Sequence, residues 1–162
     1  MKEKQYNRIA AVQYAQKWAY KRNPKFYNFD EIGGDCTSFI SQCIYAGAKT
    51  MNYKKHIGWY YNSVNDRSPS WSGVEYLYNF LTTNKSVGPS AIVSSRDNVE
   101  IGDVIQLKFS GMNNFSHSLF IVNKTKNDIF VATHTDDSYN RNISTYIFEK
   151  IRFLHINKVL TW

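Results

Sequence analysis

The sequence predicts an α+β domain in which N-terminal helices pack on a C-terminal antiparallel sheet. Apolar residues recur at helical spacing in the first half of the chain, and the pattern becomes alternating beyond Gly88-Pro89. Short links between the later apolar segments suit antiparallel hairpins. With 162 residues, 43% hydrophobic and 20% charged, the chain has the size and composition of one globular domain, which we expect to span residues 1–162.

The first predicted helix begins after Asn7, whose side chain can cap it, and ends at Asn23-Pro24. Its periodicity places six residues on the inner side of the helix: Ile9, Ala11, Val12, Ala15, Trp18 and Ala19.

The second predicted helix starts after Gly33-Gly34-Asp35 and ends at Gly47. One strongly apolar face of this short helix carries Phe39, Ile40, Cys43 and Ile44. We therefore expect it to be the central buried helix.

The remaining elements follow from the same patterns. Residues 51–72 are rich in Asn, Ser and aromatic residues and are predicted to form an ordered loop, and residues 73–82 are predicted to form a third helix. Strands are predicted over residues 103–109, 117–122, 128–134 and 152–156.

The two cysteines, Cys36 and Cys43, differ in their expected surroundings. Seven residues of helix separate them by about 10 Å, which is too far for a disulfide. Cys36 lies at the helix start, where unpaired N–H groups and a partial positive charge favour the thiolate. Cys43 lies on the apolar face, where a buried structural cysteine belongs. Cys36 is therefore the candidate nucleophile.

A nucleophilic cysteine needs a base, and the base needs an orienting partner. His117 opens one predicted strand and His134 closes the next, so a hairpin would bring them to the same sheet edge. We expect His117 to be the base and His134 to orient it, whereas His56 and His155 are expected to be surface or structural residues. A zinc site built from Cys36, His117 and His134 is the alternative, but no HExxH or CxxC spacing occurs, so no metal or cofactor is expected.

The charge of the chain indicates polyanionic partners. The formal net charge is +7, but the basic residues are scattered, which does not favour a nucleic-acid interface.

Residues 1–5 lack an apolar stretch of signal-peptide type, and no apolar run is long enough to span a membrane. We expect an excised domain of a larger secreted protein, a protein exported by another route, or a phage lytic enzyme.

Three segments contain the candidate site residues: Gly34 to Gln42 (GDCTSFISQ), Phe115 to Val122 (FSHSLFIV) and Ile129 to His134 (IFVATH). They resemble, in that order, the D-C-[ST]-x-F-[VI] helix start, the base strand and the third strand of the cell-wall cysteine hydrolases of the NlpC and CHAP types. Over residues 5–157 the chain is most similar to the "putative amidase domain" family of clostridia and bacilli. The further matching stretches are Tyr6-Asn7-Arg8, Gly58-Trp59-Tyr60-Tyr61, Gly102-Asp103-Val104-Ile105-Gln106 and Ala132-Thr133-His134-Thr135.

The resemblance implies a papain-like fold and a set of site residues. Cys36 would be the nucleophile, His117 the general base and acid, and His134 the third, orienting residue, with Asp136 as the rival for that role. The chain departs from the usual pattern in having Ser116 before the base histidine, where glycine is common. The oxyanion hole would combine the Cys36 backbone N–H with one upstream polar side chain, Asn28 or Tyr27.

The implied substrate is bacterial peptidoglycan, cut either at the lactyl–alanine amide or within the stem peptide. Asp136 would bind a substrate amine, and the aromatic loop containing Trp59 would line a glycan groove or pack in the core. The positive charge would hold the enzyme near teichoic acids, as a monomer or one domain of a larger lytic protein. The enzyme would act outside the cell or at the cell wall, or as a phage endolysin that reaches the wall at lysis. The alternatives are a protease or deamidating toxin and a non-catalytic wall-binding module.

Overall fold

Seven strands form one antiparallel sheet, and four helices accompany it. The computed structural model describes residues 1–162. The elements are β1 (Lys2–Lys4), α1 (Arg8–Trp18), α2 (Cys36–Ala48), β2 (Tyr61–Ser63), β3 (Asp66–Arg67), α3 (Pro69–Ser72), α4 (Val74–Thr83), β4 (Gly88–Ser94), β5 (Val104–Lys108), β6 (His117–Lys124), β7 (Ile129–Thr133), β8 (Ser138–Asn142), a 3-10 turn (Ile143–Thr145) and β9 (Lys150–Thr161). The predicted α+β class is thereby confirmed.

The strand order of the sheet is β1-β9-β5-β6-β7-β8, and β4 pairs with β9 as well. Every pairing in it is antiparallel. Strands β2 and β3 form a separate small ribbon. None of the helices combines the length and apolarity needed to cross a membrane.

Helix α2 is the central buried helix, as predicted. Eleven of its thirteen residues are buried, and it packs against α1, α3 and β6. A β-carbon at Gly47 would lie 2.6 Å from the Asn7 carbonyl oxygen, so glycine allows the start of α1 to pack closely here. The helix ends one residue later, and Lys49 then adopts the left-handed conformation.

Helix α1 begins as predicted but ends early. The Asn7 side chain accepts a hydrogen bond from the Ala10 N–H at 3.0 Å, which is the expected cap. The helix ends at Trp18 and not near Asn23, because the Trp18 carbonyl accepts hydrogen bonds from Lys21 N–H and from the His134 ring. Ile9, expected on the inner side, is exposed; the inner face is formed by small residues, namely Ala11, Ala15 and Ala19.

The four predicted strands correspond to β5, β6, β7 and β9, although β9 is much longer than expected. Strands β1, β4 and β8 were not predicted, and neither was the ribbon within residues 51–72, which also contains α3. In the sequence, Gly88-Pro89 indicates only the change from helical to alternating spacing of apolar residues. Strand β4 pairs with β9 alone and is an edge strand, where a proline costs no sheet hydrogen bond on the open side.

The sheet is buried on both faces because side chains alternate along its strands. Phe120 and Val122 of β6 face the helices, whereas Leu119 and Ile121 join a second apolar cluster on the opposite face. In the β6–β7 hairpin Phe120 lies opposite Ala132, so the start of β6 and the end of β7 share one edge. The N-terminus of α2 meets this edge.

Candidate active site

Cys36 lies at an uncapped helix N-terminus. It is the first residue of α2, it is buried, and its Sγ lies 3.7 Å from the Thr37 hydroxyl. Asp35, at the N-cap position, does not accept a hydrogen bond from the first turn of the helix. The backbone N–H groups of the first turn therefore remain available, and they concentrate positive potential beside the sulfur.

The Asp35 carboxylate points away from the helix because other donors hold it. Its Oδ1 accepts the Phe29 N–H at 2.8 Å, and its Oδ2 accepts His134 Nδ1–H at 2.6 Å. The Arg22 Nε lies 3.6 Å from the same Oδ2. A buried carboxylate with these partners stays satisfied without capping α2.

Gly33 and Gly34 form the opening in front of Cys36. Their φ angles are +80° and +95°, in the left-handed region that favours glycine. A β-carbon at either position would meet nothing within 4 Å, so open space lies beside both residues. The backbone thereby turns into α2 without placing a side chain over the thiol.

His117 is the first residue of β6, and its hydrogen bonds define its tautomer. Its Nε2 lies 3.4 Å from the Thr133 hydroxyl, which donates its single proton to the Ser118 carbonyl at 3.2 Å. In this arrangement the hydroxyl accepts from His117, and on that basis we assign the proton of the neutral ring to Nε2. Nδ1, which has no partner in the chain, keeps an available lone pair.

Burial lowers the pKa of His117 to about 4, and the positive charge of Arg141 acts in the same direction, against a smaller opposing effect of Asp136. The ring is therefore neutral at pH 7 and can accept a proton. Because the folded state disfavours the protonated ring, the stability contributed by this group is present above the unfolded pKa of about 6.5. It declines as the pH falls towards 4.

Cys36 and His117 line one pocket of about 440 Å³. The other lining residues come from the turn before α2, the end of β5, and the segments around β7 and β8: Gly33, Gly34, Phe109, Ser116, Thr135, Asp136, Arg141 and Tyr146. Both predicted reacting groups thus face a common space that can hold a substrate.

A larger groove of about 1020 Å³ lies between residues 3–9 and β9. Its histidine, His155, is held at 2.7 Å by the buried carboxylate of Asp103, which also binds Arg8 at 2.7 Å. These groups connect α1, the residue before β5, and β9. The groove contains no cysteine and therefore lacks the predicted nucleophile.

His134 does not contact His117. Its two ring nitrogens lie 2.6 Å from Asp35 Oδ2 and 2.7 Å from the Trp18 carbonyl, and both partners are acceptors. The Asp35 carboxylate and the Trp18 carbonyl thus hold the ring at both nitrogens. The ring also stacks on Phe39 at 3.9 Å. The expected direct orienting contact is thus absent, and any role of His134 in the reaction acts through Asp35.

The register of the β6–β7 hairpin explains why His134 does not contact His117. Phe120 pairs with Ala132, so the register places His117 on the same face as Thr133 and His134 on the opposite, helix-facing side. Connectivity correctly placed both histidines at one sheet edge, but alternation separates their side chains. The contact of His117 with Thr133 was not predicted, although the same alternation along β7 places the Thr133 side chain on the face of His117.

Of the two remaining predicted site residues, one lines the pocket and the other does not. Asp136 lines the pocket, with φ +49° and an exposed side chain. Trp59 is completely buried in the core, where its ring centre lies 5.0 Å from that of Trp71 and its Nε1–H donates to Ser41. The core alternative is therefore correct and the groove interpretation wrong.

The predicted oxyanion side chains do not line the pocket. Asn28 accepts a hydrogen bond from the Asp30 N–H, and Tyr27 is partly exposed elsewhere. The upstream residues that line the pocket are Gly33 and Gly34. The backbone N–H groups at the start of α2 are therefore the candidate donors for an oxyanion.

The Asp35–His134 pair can be tested by a double-mutant cycle on the free energy of unfolding. We expect Asp35→Asn and His134→Gln each to destabilise the protein, with a coupling energy of about 2 kcal/mol, because both groups are buried and directly bonded. Denaturant titration of the two single variants and the double variant gives this value. The exposed Lys108–Glu149 pair is the matched control and should couple much more weakly. Additive effects at Asp35 and His134 would contradict the expectation.

The chain is an α+β domain with a cysteine–histidine pocket, and it belongs to the family described as "Putative amidase domain", which matches residues 5–156. Two proteins of Bacillus subtilis (strain 168) are similar to it. The protein named "Uncharacterized protein YhbB" is 36% identical over 140 residues, covering 85% of this chain and 44% of its own length. The protein named "Uncharacterized protein YjcM" is 20% identical over 144 residues, covering 85% of this chain and 32% of its own length.

The chain thus spans less than half the length of these curated relatives. No solved structure matches it at a significant level.

Proposed function

We propose that this domain is a cysteine amidase of papain-like type that hydrolyses amide bonds of bacterial peptidoglycan. The observation that carries the proposal is that Cys36, at the uncapped start of α2, lines the same pocket as His117, whose Nδ1 lone pair is available. The family description supports amide hydrolysis. The cysteine at a helix N-terminus and the histidine at the start of a strand support the papain-like assignment.

The reaction would proceed in two halves. The Cys36 sulfur attacks the amide carbonyl carbon while its proton passes to His117 Nδ1. The oxyanion forms beside the free N–H groups of the first turn of α2, and His117 then protonates the leaving amine as the C–N bond breaks. Water, deprotonated by His117, next attacks the thioester and releases a carboxylic acid and the free thiol.

Charge and resemblance favour the cell wall as substrate. A formal net charge of +7 attracts the protein to acidic wall polymers such as teichoic acids. Cleavage at the lactyl–alanine amide and cleavage within the stem peptide require the same groups. The proposal therefore includes both bonds and places the action at the wall, reached by export or at phage-induced lysis.

Digestion of purified Gram-positive walls tests the substrate. Wild-type protein should lower the turbidity and release fragments whose masses identify the new amine and carboxylate ends, whereas Cys36→Ala should bind walls without releasing fragments. Equal clearing by both proteins would contradict the mechanism. Cleavage of proteins but not of walls would favour the protease alternative, and wall binding without any cleavage would favour the binding module.

The pH profile of kcat/KM should have its acid limb near pH 4. His117 must be neutral to accept the thiol proton, and its pKa lies at about 4. Rates on a synthetic acyl-peptide amide between pH 3 and 7 measure this limb. Arg141→Gln should move it upwards, because that positive charge helps to lower the pKa. A limb near 6.5 in the wild type would contradict the assignment of His117 as the base.

A further inference from the structure

We propose that Arg141 and Tyr146 form a subsite for a free carboxylate next to the scissile amide, so that the preferred substrates are amides of acidic peptides. This inference rests on the proposed amide hydrolysis in the same pocket. It adds the chemical class of the group that flanks the cleaved bond.

Arg141 is held in one orientation at the pocket wall. The residue belongs to β8, where it pairs with Val131 of β7. Its Nε–H donates to the Thr145 hydroxyl at 2.8 Å, Nη2 contacts the Thr145 carbonyl at 3.4 Å, and the guanidinium stacks over the Tyr146 ring at 3.8 Å. A fixed guanidinium loses little conformational entropy when it binds an anion.

The charge of Arg141 has no carboxylate partner in the chain. Arg8, Arg22 and Arg152 each form an ion pair with an acidic side chain. Arg141 bonds only to neutral oxygens, and its Nη1 has no partner. Asp136 lines the same pocket without forming an ion pair to it. The guanidinium can therefore donate to a carboxylate of a ligand.

Tyr146 provides a second, independent observation. Its hydroxyl is buried without a well-formed hydrogen bond, although Arg141 and Ser138 lie close to it, and a buried hydroxyl normally has a partner. The ring lines the pocket and its centre lies 6.1 Å from that of His117. A carboxylate bound by Arg141 would offer this hydroxyl an acceptor once the ring turns towards the pocket.

The position of the pair defines which part of a substrate it would contact. The Arg141 guanidinium lies 3.8 Å over the Tyr146 ring, whose centre lies 6.1 Å from that of His117, so a carboxylate bound there lies near the reacting amide. Asp136 lines the pocket as well and remains the residue predicted to bind a substrate amine. The combination suits a short peptide that carries both a free acid and an amine beside the cleaved bond.

The test compares two synthetic peptides that differ only in the group flanking the scissile amide, either a free carboxylate or its primary amide. Calorimetric binding to Cys36→Ala measures affinity without turnover, and kcat/KM of the active protein measures cleavage. We expect about a tenfold preference for the acid in both measurements. Arg141→Gln should abolish the preference, and Tyr146→Phe should reduce it.

Controls separate binding from folding. Tyr146→Phe keeps the ring under Arg141 and should leave the unfolding temperature close to that of the wild type, because the hydroxyl makes no well-formed hydrogen bond. Arg96→Gln removes an equal charge from an exposed position and should keep the full preference.

Two outcomes decide the proposal. Equal affinity of Cys36→Ala for the two peptides overturns the subsite, whatever the cleavage rates are. Selective binding of the acid peptide together with no cleavage by the active protein supports the subsite and rejects the proposed hydrolase function.

Discussion

Replacement of Cys36 by alanine is expected to reduce amide hydrolysis by at least about 10⁴-fold while the protein remains folded. The sulfur is the only side-chain nucleophile at the start of α2 that lines the pocket with His117. Alanine removes the sulfur but keeps the helix start, since the Cys36 side chain makes only a weak contact with the Thr37 hydroxyl. Single-turnover assays and thermal unfolding measure the two effects separately.

Cys43 is the matched control for this variant. It lies in the same helix but is completely buried in the main apolar core. Cys43→Ala should therefore lower the free energy of unfolding, by about 1 kcal/mol, and keep the activity. Iodoacetamide should label Cys36 before Cys43 in the wild type, as peptide mass spectrometry can show. Persistent hydrolysis by Cys36→Ala would reject the thiol mechanism.

Replacement of His117 by glutamine is expected to lower kcat/KM by about 10³-fold or more. Glutamine retains hydrogen-bonding groups at the start of β6 but cannot accept the thiol proton. The acid limb near pH 4 should also disappear from the residual activity. Kinetics of the purified variant over the same pH range provide the measurement, and His56→Gln, at an exposed position, is the control.

Thr133→Val tests the assigned tautomer of His117 and leaves the histidine itself in place. Valine removes the acceptor of the Nε2–H bond, so the ring can exchange its tautomer and orientation, and we expect about a tenfold loss of kcat. An unchanged rate would show that the hydroxyl does not orient the ring. For the His117 experiment described above, loss of activity in the control His56→Gln would indicate that histidine substitutions act through the fold.

The parts of the fold that were predictable from sequence have strong periodic patterns. The apolar stripe of α2 and the alternating residues of the β6–β7 hairpin gave the central helix, the sheet edge and the positions of Cys36 and His117. Strands β1 and β8 are short and polar, and β4 begins at Gly88-Pro89. Strands β1 and β4 also pair only with β9, which lies far away in the sequence. Arg141 lies on β8, which explains why no sequence pattern connected it with the pocket.

His134 shows how a correct placement can give an incorrect contact. Its position at the end of the hairpin was predictable from connectivity, but its partner depends on which side of the sheet it occupies. Trp59 illustrates a second limit. Its neighbours in sequence are polar and aromatic, and only the packing of Trp71 and Phe80 against it shows that the ring belongs to the core.

The pairing of the first strand with the last has a topological consequence. Lys2 lies opposite Thr161, so the two ends of the described chain lie side by side on one sheet. A short flexible peptide could join them, and new ends could be opened in the exposed turn between β6 and β7. Such a circular permutant would retain every antiparallel pairing, and its folding would show that the architecture does not depend on the order in which its segments are synthesised.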